Sequence, residues 1–191
     1  GTFLNLPEFL NEDLCWLAGL VAGDGHLTKA DDDKWGVGIS FHNKDKRLID
    51  KFCEVLEKNF GVKYNIIFND KKQYYTAQTS SAILAEILIA FGVKRGKKSA
   101  TFDLSNKLLS CEDELISAYL RGLFDAEGSV EKYNRSVNFI VYNKKVLEKM
   151  CYVLQRFGIR AGLQANGKEK RIMISGKENL IKFGRPTPAS T

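Results

Sequence analysis

The sequence is poor in the side chains that build transition-metal centres. It has two histidines, His26 and His42, and four cysteines, Cys15, Cys53, Cys111 and Cys151, with no CxxC spacing and no histidine pair nearby. A zinc site is therefore not expected, and the thiols read as reduced and mostly buried. No apolar run reaches the roughly 18 residues that cross a bilayer, and no basic, apolar, small-residue segment opens the chain as a signal peptide would. A soluble, intracellular chain is the expectation. What is present is an ordinary globular balance over 191 residues, 44% hydrophobic, 11% aromatic and 27% charged. That is enough for one sizeable core or two small fused units. A net charge of +6 and a pI near 9.1 favour a polyanionic partner, because lysine and arginine that neutralise phosphates release counterions.

Two related stretches organise the chain. Leu17 to Gly25 reads LAGLVAGDG, and Leu120 to Gly128 reads LRGLFDAEG. Each places small residues four apart, Gly19 with Gly23 and Gly122 with Ala126, so on a helix each pair lies on one face and lets a second backbone approach. Each ends on an acid followed by glycine, Asp24 before Gly25 and Glu127 before Gly128. The C-terminal carbonyls of a helix already carry partial negative charge. Two acidic tips brought together are therefore unfavourable unless a cation sits between them. This pattern reads as a divalent-metal site on a packed helix pair. The acid pairs of aspartic proteases and glycosidases fit it less well, since neither calls for helix ends or a basic chain.

The elements follow in order. From Asn11, a plausible N-cap, Leu14, Leu17, Ala18 and Val21 give helical spacing to Gly25. A short strand over 26–29 and a second over 35–42 come next; Val37, Ile39 and Phe41 alternate with Gly38, Ser40 and His42, giving one apolar and one wet face. Asn43 is expected to cap an amphipathic helix over 44–60. A hairpin over 64–69 and 74–80 and a helix over 81–91 complete the first unit. In the second, Ser110 with Asp113 resembles a capping box. YNK at 142–144 then answers HNK at 42–44, and KMCYVLQRFG at 149–158 answers KFCEVLEKNFG at 51–61.

The expected fold is α+β, a pseudo-twofold duplication of an αββαββα unit with two antiparallel, saddle-forming sheets joined by a central packed helix pair. The first half is assigned to 1–98, a linker to 99–110, the second half to 111–184 and a flexible tail to 185–191. The second copy has a shorter first hairpin and a shorter middle helix, which suits an asymmetric partner.

These residues closely resemble the LAGLIDADG family of homing endonucleases in its monomeric, two-motif form. The resemblance implies a monomer that hydrolyses both strands of a long asymmetric double-stranded DNA site across the minor groove, leaving short 3′ overhangs. Carried over, Asp24 and Glu127 are the metal ligands, one acid per strand, with the backbone carbonyls of Gly23 and Ala126. Mg²⁺ is the expected cofactor, with Mn²⁺ or Ca²⁺ as substitutes and Ca²⁺ non-catalytic. Around the acids the family places a lysine, matched by Lys98 in preference to Lys97, and polar residues matched by Asn43, Lys44, Asn143 and Lys144, with Arg47 in the first half only.

A twisted antiparallel sheet can lie in the major groove and reach base edges. The candidates for DNA contact are His26, Thr28, Ser40 and His42 in the first half and Glu131, Asn138, Ile140 and Tyr142 in the second. The outer hairpins add Lys63, Tyr74, Thr76, Gln78, Arg160, Arg171 and Met173, with Lys71 and Lys72 on phosphates. The sequence departs from the family pattern at Ala22, where the first acid of the motif would fall, while Asp125 keeps it. An RNA-binding intron maturase on the same scaffold is the alternative; retention of both acids favours the nuclease. A transcription regulator with a degenerate core would be expected to have lost an acid. With Gly1 and Thr2 at one end and Ser190 and Thr191 at the other, the intein splicing residues are missing. The expectation is an intron-encoded or free-standing protein, or the endonuclease domain of an intein.

Overall fold

The computed structural model describes residues 5, 7–28, 38–96, 103–133, 135–141, 143–166 and 169–184. At its centre lies α1 (Glu12–Gly23), which begins where Asn11 Oδ1 accepts the Leu14 amide at 2.9 Å. Residues 14–22 of α1 are buried on every side, as expected of a helix surrounded by other elements rather than floating on them. Its partner is α5 (Asp113–Glu127). Each of these helices runs directly into a sheet.

After α1 come β1 (Gly25–Leu27), β2 (Gly38–Asn43), α2 (Lys46–Phe60), β3 (Asn65–Asn69), β4 (Tyr74–Ser80) and α3 (Ala82–Ala90). After the short α4 (Asn106–Leu109) and α5 come β5 (Gly128–Glu131), β6 (Ser136–Val141), α6 (Lys144–Arg156), β7 (Ala161–Asn166), β8 (Glu169–Ser175) and α7 (Lys177–Gly184). Each half forms one four-stranded antiparallel sheet, in the orders β1-β2-β4-β3 and β5-β6-β8-β7. The fold is thus α+β and duplicated, as the internal repeat implied. The inner faces carry Leu27, Ile39, Phe41 and Ala77 in one sheet and Val137, Phe139, Ile172 and Ile174 in the other, all buried. The apolar stripes of α2 and α6 lie in the same core, with Phe52 of α2 5.4 Å from Phe41 by ring centroids. No helix among the described residues is long and apolar enough to cross a membrane.

Several boundaries differ from the sequence reading. Asn43 does not cap α2. It still pairs with Tyr75 at the end of β2, so its side chain accepts the Asp45 amide at 2.8 Å and Asp45 becomes the cap, accepting the Arg47 amide. Asn143 does cap α6, accepting the Lys145 amide. Ser110 opens no capping box: it closes α4, donating to the Asn106 carbonyl, and α5 starts at Asp113 without a side-chain cap. The helix α6 has 13 residues against 15 in α2, so the middle helix of the second copy is indeed shorter.

All four cysteines are free. Burial pushes the Cys15 thiol up to about 12 and Cys53 up to about 11, so both stay protonated and unreactive at neutral pH.

Candidate active site

The two motif helices cross on glycine. A Cβ at Gly19 would land on the Tyr119 carbonyl oxygen, with Leu123 N only 2.9 Å away; reciprocally, a Cβ at Gly122 would land on the Trp16 carbonyl oxygen, with Leu20 N at 2.8 Å. The approach is kept to the helix ends, where a Cβ at Gly23 would meet Ala126 Cβ and come within 3.1 Å of Glu127 Cγ. The two acidic tips therefore stand side by side. Asp24 is the C-cap of α1, its amide bonded to the Leu20 carbonyl, and Glu127 is the last residue of α5; both side chains are exposed. The glycines that follow serve space rather than a left-handed turn. Gly128 is extended, with φ −77°, and a Cβ there would strike the Phe124 ring; one at Gly25 would sit 2.7 Å from Val21 Cα.

Sheet register brings further polar residues to the same end. Gly25 pairs with Phe41, so Asn43 lies just beyond, near Asp24; Gly128 pairs with Phe139, and Asn143 follows four residues on, past the end of β6, as the cap of α6. Lys44 and Lys144 are exposed beside them, Lys144 with Glu148 at 3.5 Å. Arg47 points into solvent and holds Asp45 through Nε at 3.0 Å and Nη2 at 2.7 Å, which keeps the Asp45 carboxyl below its ordinary value. The basic connector is tied to the site as well: the Gly96 amide donates to the Leu27 carbonyl of β1 at 2.9 Å. Lys97 and Lys98 follow directly but lie outside the described residues, as does Tyr142.

On the outer face of the first sheet His26, Ser40, Gln78 and Asn65 form one cross-strand row, and His42, Thr76 and Ile67 another. His42 Nδ1 lies 2.8 Å from Thr76 Oγ1, Ser40 Oγ 3.3 Å from His42 Nε2, and the Tyr74 ring meets His42 edge-on. Thr28 Oγ1 accepts the Gly38 amide where the outer ends of β1 and β2 close. Asn65 and Ile67 share this face and were missed, although they have the same parity as Lys63, which precedes β3 and was named. Lys71 and Lys72 are exposed in the β3–β4 turn, and Arg160 is exposed just before β7.

The second sheet is different. By register Ser129, Asn138 and Met173 share a row, flanked by Glu131 with Ser136 and by Ile140 with Arg171 and Gln164. Arg171 Nη1 reaches across β6 to Glu131 Oε1 at 3.0 Å. That ion pair passes over Asn138, which is only 1% exposed, with its Oδ1 unpartnered and its Nδ2 3.4 Å from Ser136 Oγ. Alternation placed Asn138 on the correct face, but the expected exposure is corrected: long neighbours on adjacent strands cover it.

The donors at the helix tips suit a hard divalent cation. Two exposed carboxylates and the adjoining C-terminal carbonyls are all oxygen, the ligand type that Mg²⁺, Mn²⁺ and Ca²⁺ favour. No group of three His, Cys, Asp or Glu side chains is gathered for a metal among the described residues, so backbone carbonyls and water would complete the shell.

One cross-helix hydrogen bond lies near the tips. Trp16 Nε1 donates to Asp125 Oδ2 at 2.8 Å. Tyr119, at the matching place on α5, is fully buried with its hydroxyl unpartnered, and burial pushes its phenol up. Removing an unsatisfied buried hydroxyl also removes its desolvation cost. Tyr119→Phe is therefore expected to stabilise the protein by about 1 kcal/mol, read as a rise in Tm of about 2–4 °C; a fall in Tm would show that the hydroxyl has a partner.

A duplicated α+β chain with twin acidic helix tips at its centre and two outward sheet faces defines a class. By sequence this chain belongs to the LAGLIDADG-like domain family, whose model matches residues 11–90 and 114–186. It is 30% identical to part of the replication factor C small subunit of Methanocaldococcus jannaschii, over 91% of this chain and 9% of that protein. It is 28% identical to part of elongation factor 2 of Methanopyrus kandleri, over 94% of this chain and 13% of that one. The chain thus spans only a small part of these relatives. Among solved structures it is similar to the homing endonuclease I-DmoI, in a complex with DNA and Mn, with TM-score 0.69 and 20% identity over 94% of this chain and 98% of that one. It is also similar to full-length DUF199/WhiA from Thermatoga maritima, with TM-score 0.65 and 17% identity over 94% of this chain and 56% of that one.

Proposed function

We propose that this chain is a site-specific DNA endonuclease of the homing type, acting as a monomer on both strands of a long asymmetric double-stranded site and leaving short 3′ overhangs. The observation that carries the reading is the pair of exposed acids, Asp24 and Glu127, held side by side at two helix C-termini, where a cation makes their closeness tolerable. The fold alone does not carry it, because DUF199/WhiA shares it. Asp24 and Glu127, with the carbonyls of Gly23 and Ala126, hold the metal. When bound, a divalent ion such as Mg²⁺ offsets phosphate charge and supplies a more acidic water. I-DmoI structures with DNA and Mn, and with DNA and Ca, are consistent with that ion class and partner. Asn43, Lys44, Asn143 and Lys144, together with Lys98, would order water and steady phosphate charge. The polar rows of the first sheet and Glu131, Ile140, Arg171 and Met173 of the second face the DNA.

The matched relatives bear unrelated names, a replication factor and an elongation factor, yet share a segment the length of this chain. A segment matched within proteins of unrelated names behaves as an insertion, which fits a mobile endonuclease domain. The test is selection of cleaved sites from a randomised duplex library with Mg²⁺. Recovery of one long, non-palindromic consensus cut on both strands is expected; absence of any cleaved consensus overturns the reading.

A further inference from the structure

Besides the ion pair of Arg121 with Glu12, the duplication provides for two ties between an aromatic residue of one motif helix and an acid in the last turn of the other, and the structure makes one. The offset that carries Asp24 onto Glu127 also carries Trp16 onto Tyr119 and Ala22 onto Asp125. In one direction the tie forms, from Trp16 of α1 to Asp125 in the last turn of α5. In the other, Ala22 offers no side-chain acceptor and the Tyr119 hydroxyl is left buried and unpartnered. The ring of Trp16 is held in turn by Lys51, with Nζ 4.1 Å from the ring. Its counterpart Lys149 turns instead to the Asp103 carboxylate at 2.8 and 2.9 Å and to the Leu104 carbonyl at 2.8 Å.

We propose that the Trp16–Asp125 bond positions Glu127, two residues further along α5, and that the matching tie on α1 is missing at Ala22, so the two acids form an unequal pair and the two DNA strands are cut at different rates. The rate difference rests on the endonuclease reading above; the brace does not. Trp16 and Asp125 are positioning residues and touch no substrate in this scheme. The last turn of a helix has the fewest internal bonds and frays most readily. A side-chain tie there governs how often the terminal residue leaves its place.

Asp125 is exposed, so its replacement does not threaten folding. Asp125→Ala removes the acceptor, whereas Asp125→Asn keeps an acceptor oxygen and removes only the charge. Amide hydrogen exchange is measured first, on the protein without DNA or metal. Loss of one hydrogen bond to a charged acceptor is expected to raise exchange at residues 126–128 about tenfold in Asp125→Ala, with residues 23–25 unchanged and Asp125→Asn within about twofold of the parent. Strand-resolved nicking with Mg²⁺ is then expected to show the ratio of the two strand rates shifted about tenfold by Asp125→Ala and little by Asp125→Asn. Equal loosening of both tips, no loosening, or Asp125→Asn behaving like Asp125→Ala overturns the proposal. Should the parent protein cut no DNA while exchange loosens only at residues 126–128, the endonuclease reading fails and the brace is upheld.

Discussion

Asp24→Asn and Glu127→Gln are each expected to reduce double-strand cleavage by at least about a thousandfold, because each removes a charged oxygen ligand at the point where phosphate charge must be offset. Binding to the same duplex in Ca²⁺ should stay within about threefold, since the proposed DNA contacts lie on the sheets and not at the tips. Stability should not fall. A carboxylate at a helix C-terminus is unfavourable by about 0.3–1 kcal/mol, so neutralising either acid leaves Tm unchanged or slightly higher. Lost cleavage with kept binding and kept Tm separates a chemical role from general damage. Unchanged cleavage by both variants would remove these acids from the chemistry.

The second large effect is on folding. Gly19→Ala and Gly122→Ala each force a methyl group onto a main-chain carbonyl of the other motif helix. Backbone cannot rotate away as a flexible side chain can, so the helices must separate and the packing beside them opens. A cost of at least about 3 kcal/mol is expected for either change, lowering Tm by roughly 6–12 °C for a chain of this size. The double variant should not fold cooperatively. Thermal or urea unfolding checks this; a shift below about 1 kcal/mol would mean that the helices cross elsewhere.

The central helix pair and the alternating strands were legible in the sequence because both rest on local periodicity and on small residues at fixed spacing. The start of α2 was not legible. Asn43 and Asp45 are both good caps, and the choice between them is settled by the pairing of Asn43 with Tyr75, a residue far along the chain. The cover over Asn138 was likewise invisible, because it depends on which strands adjoin β6 and lets Arg171 meet Glu131 across it. Trp16 and Asp125 were passed over for a similar reason. Their bond joins distant positions, and what the departure at Ala22 costs depends on Tyr119, whose buried hydroxyl has nothing to bond.

The glycine crossing has an effect on how such a molecule can change. Its tightest contact is made between main chains, away from the residues on the outer faces of the sheets. Rows such as those through Ser40 and Gln78 can be rewritten one position at a time while the joint between the halves stays fixed. Variation on the sheet faces and constancy in how the halves are held then become separate properties of the same polypeptide.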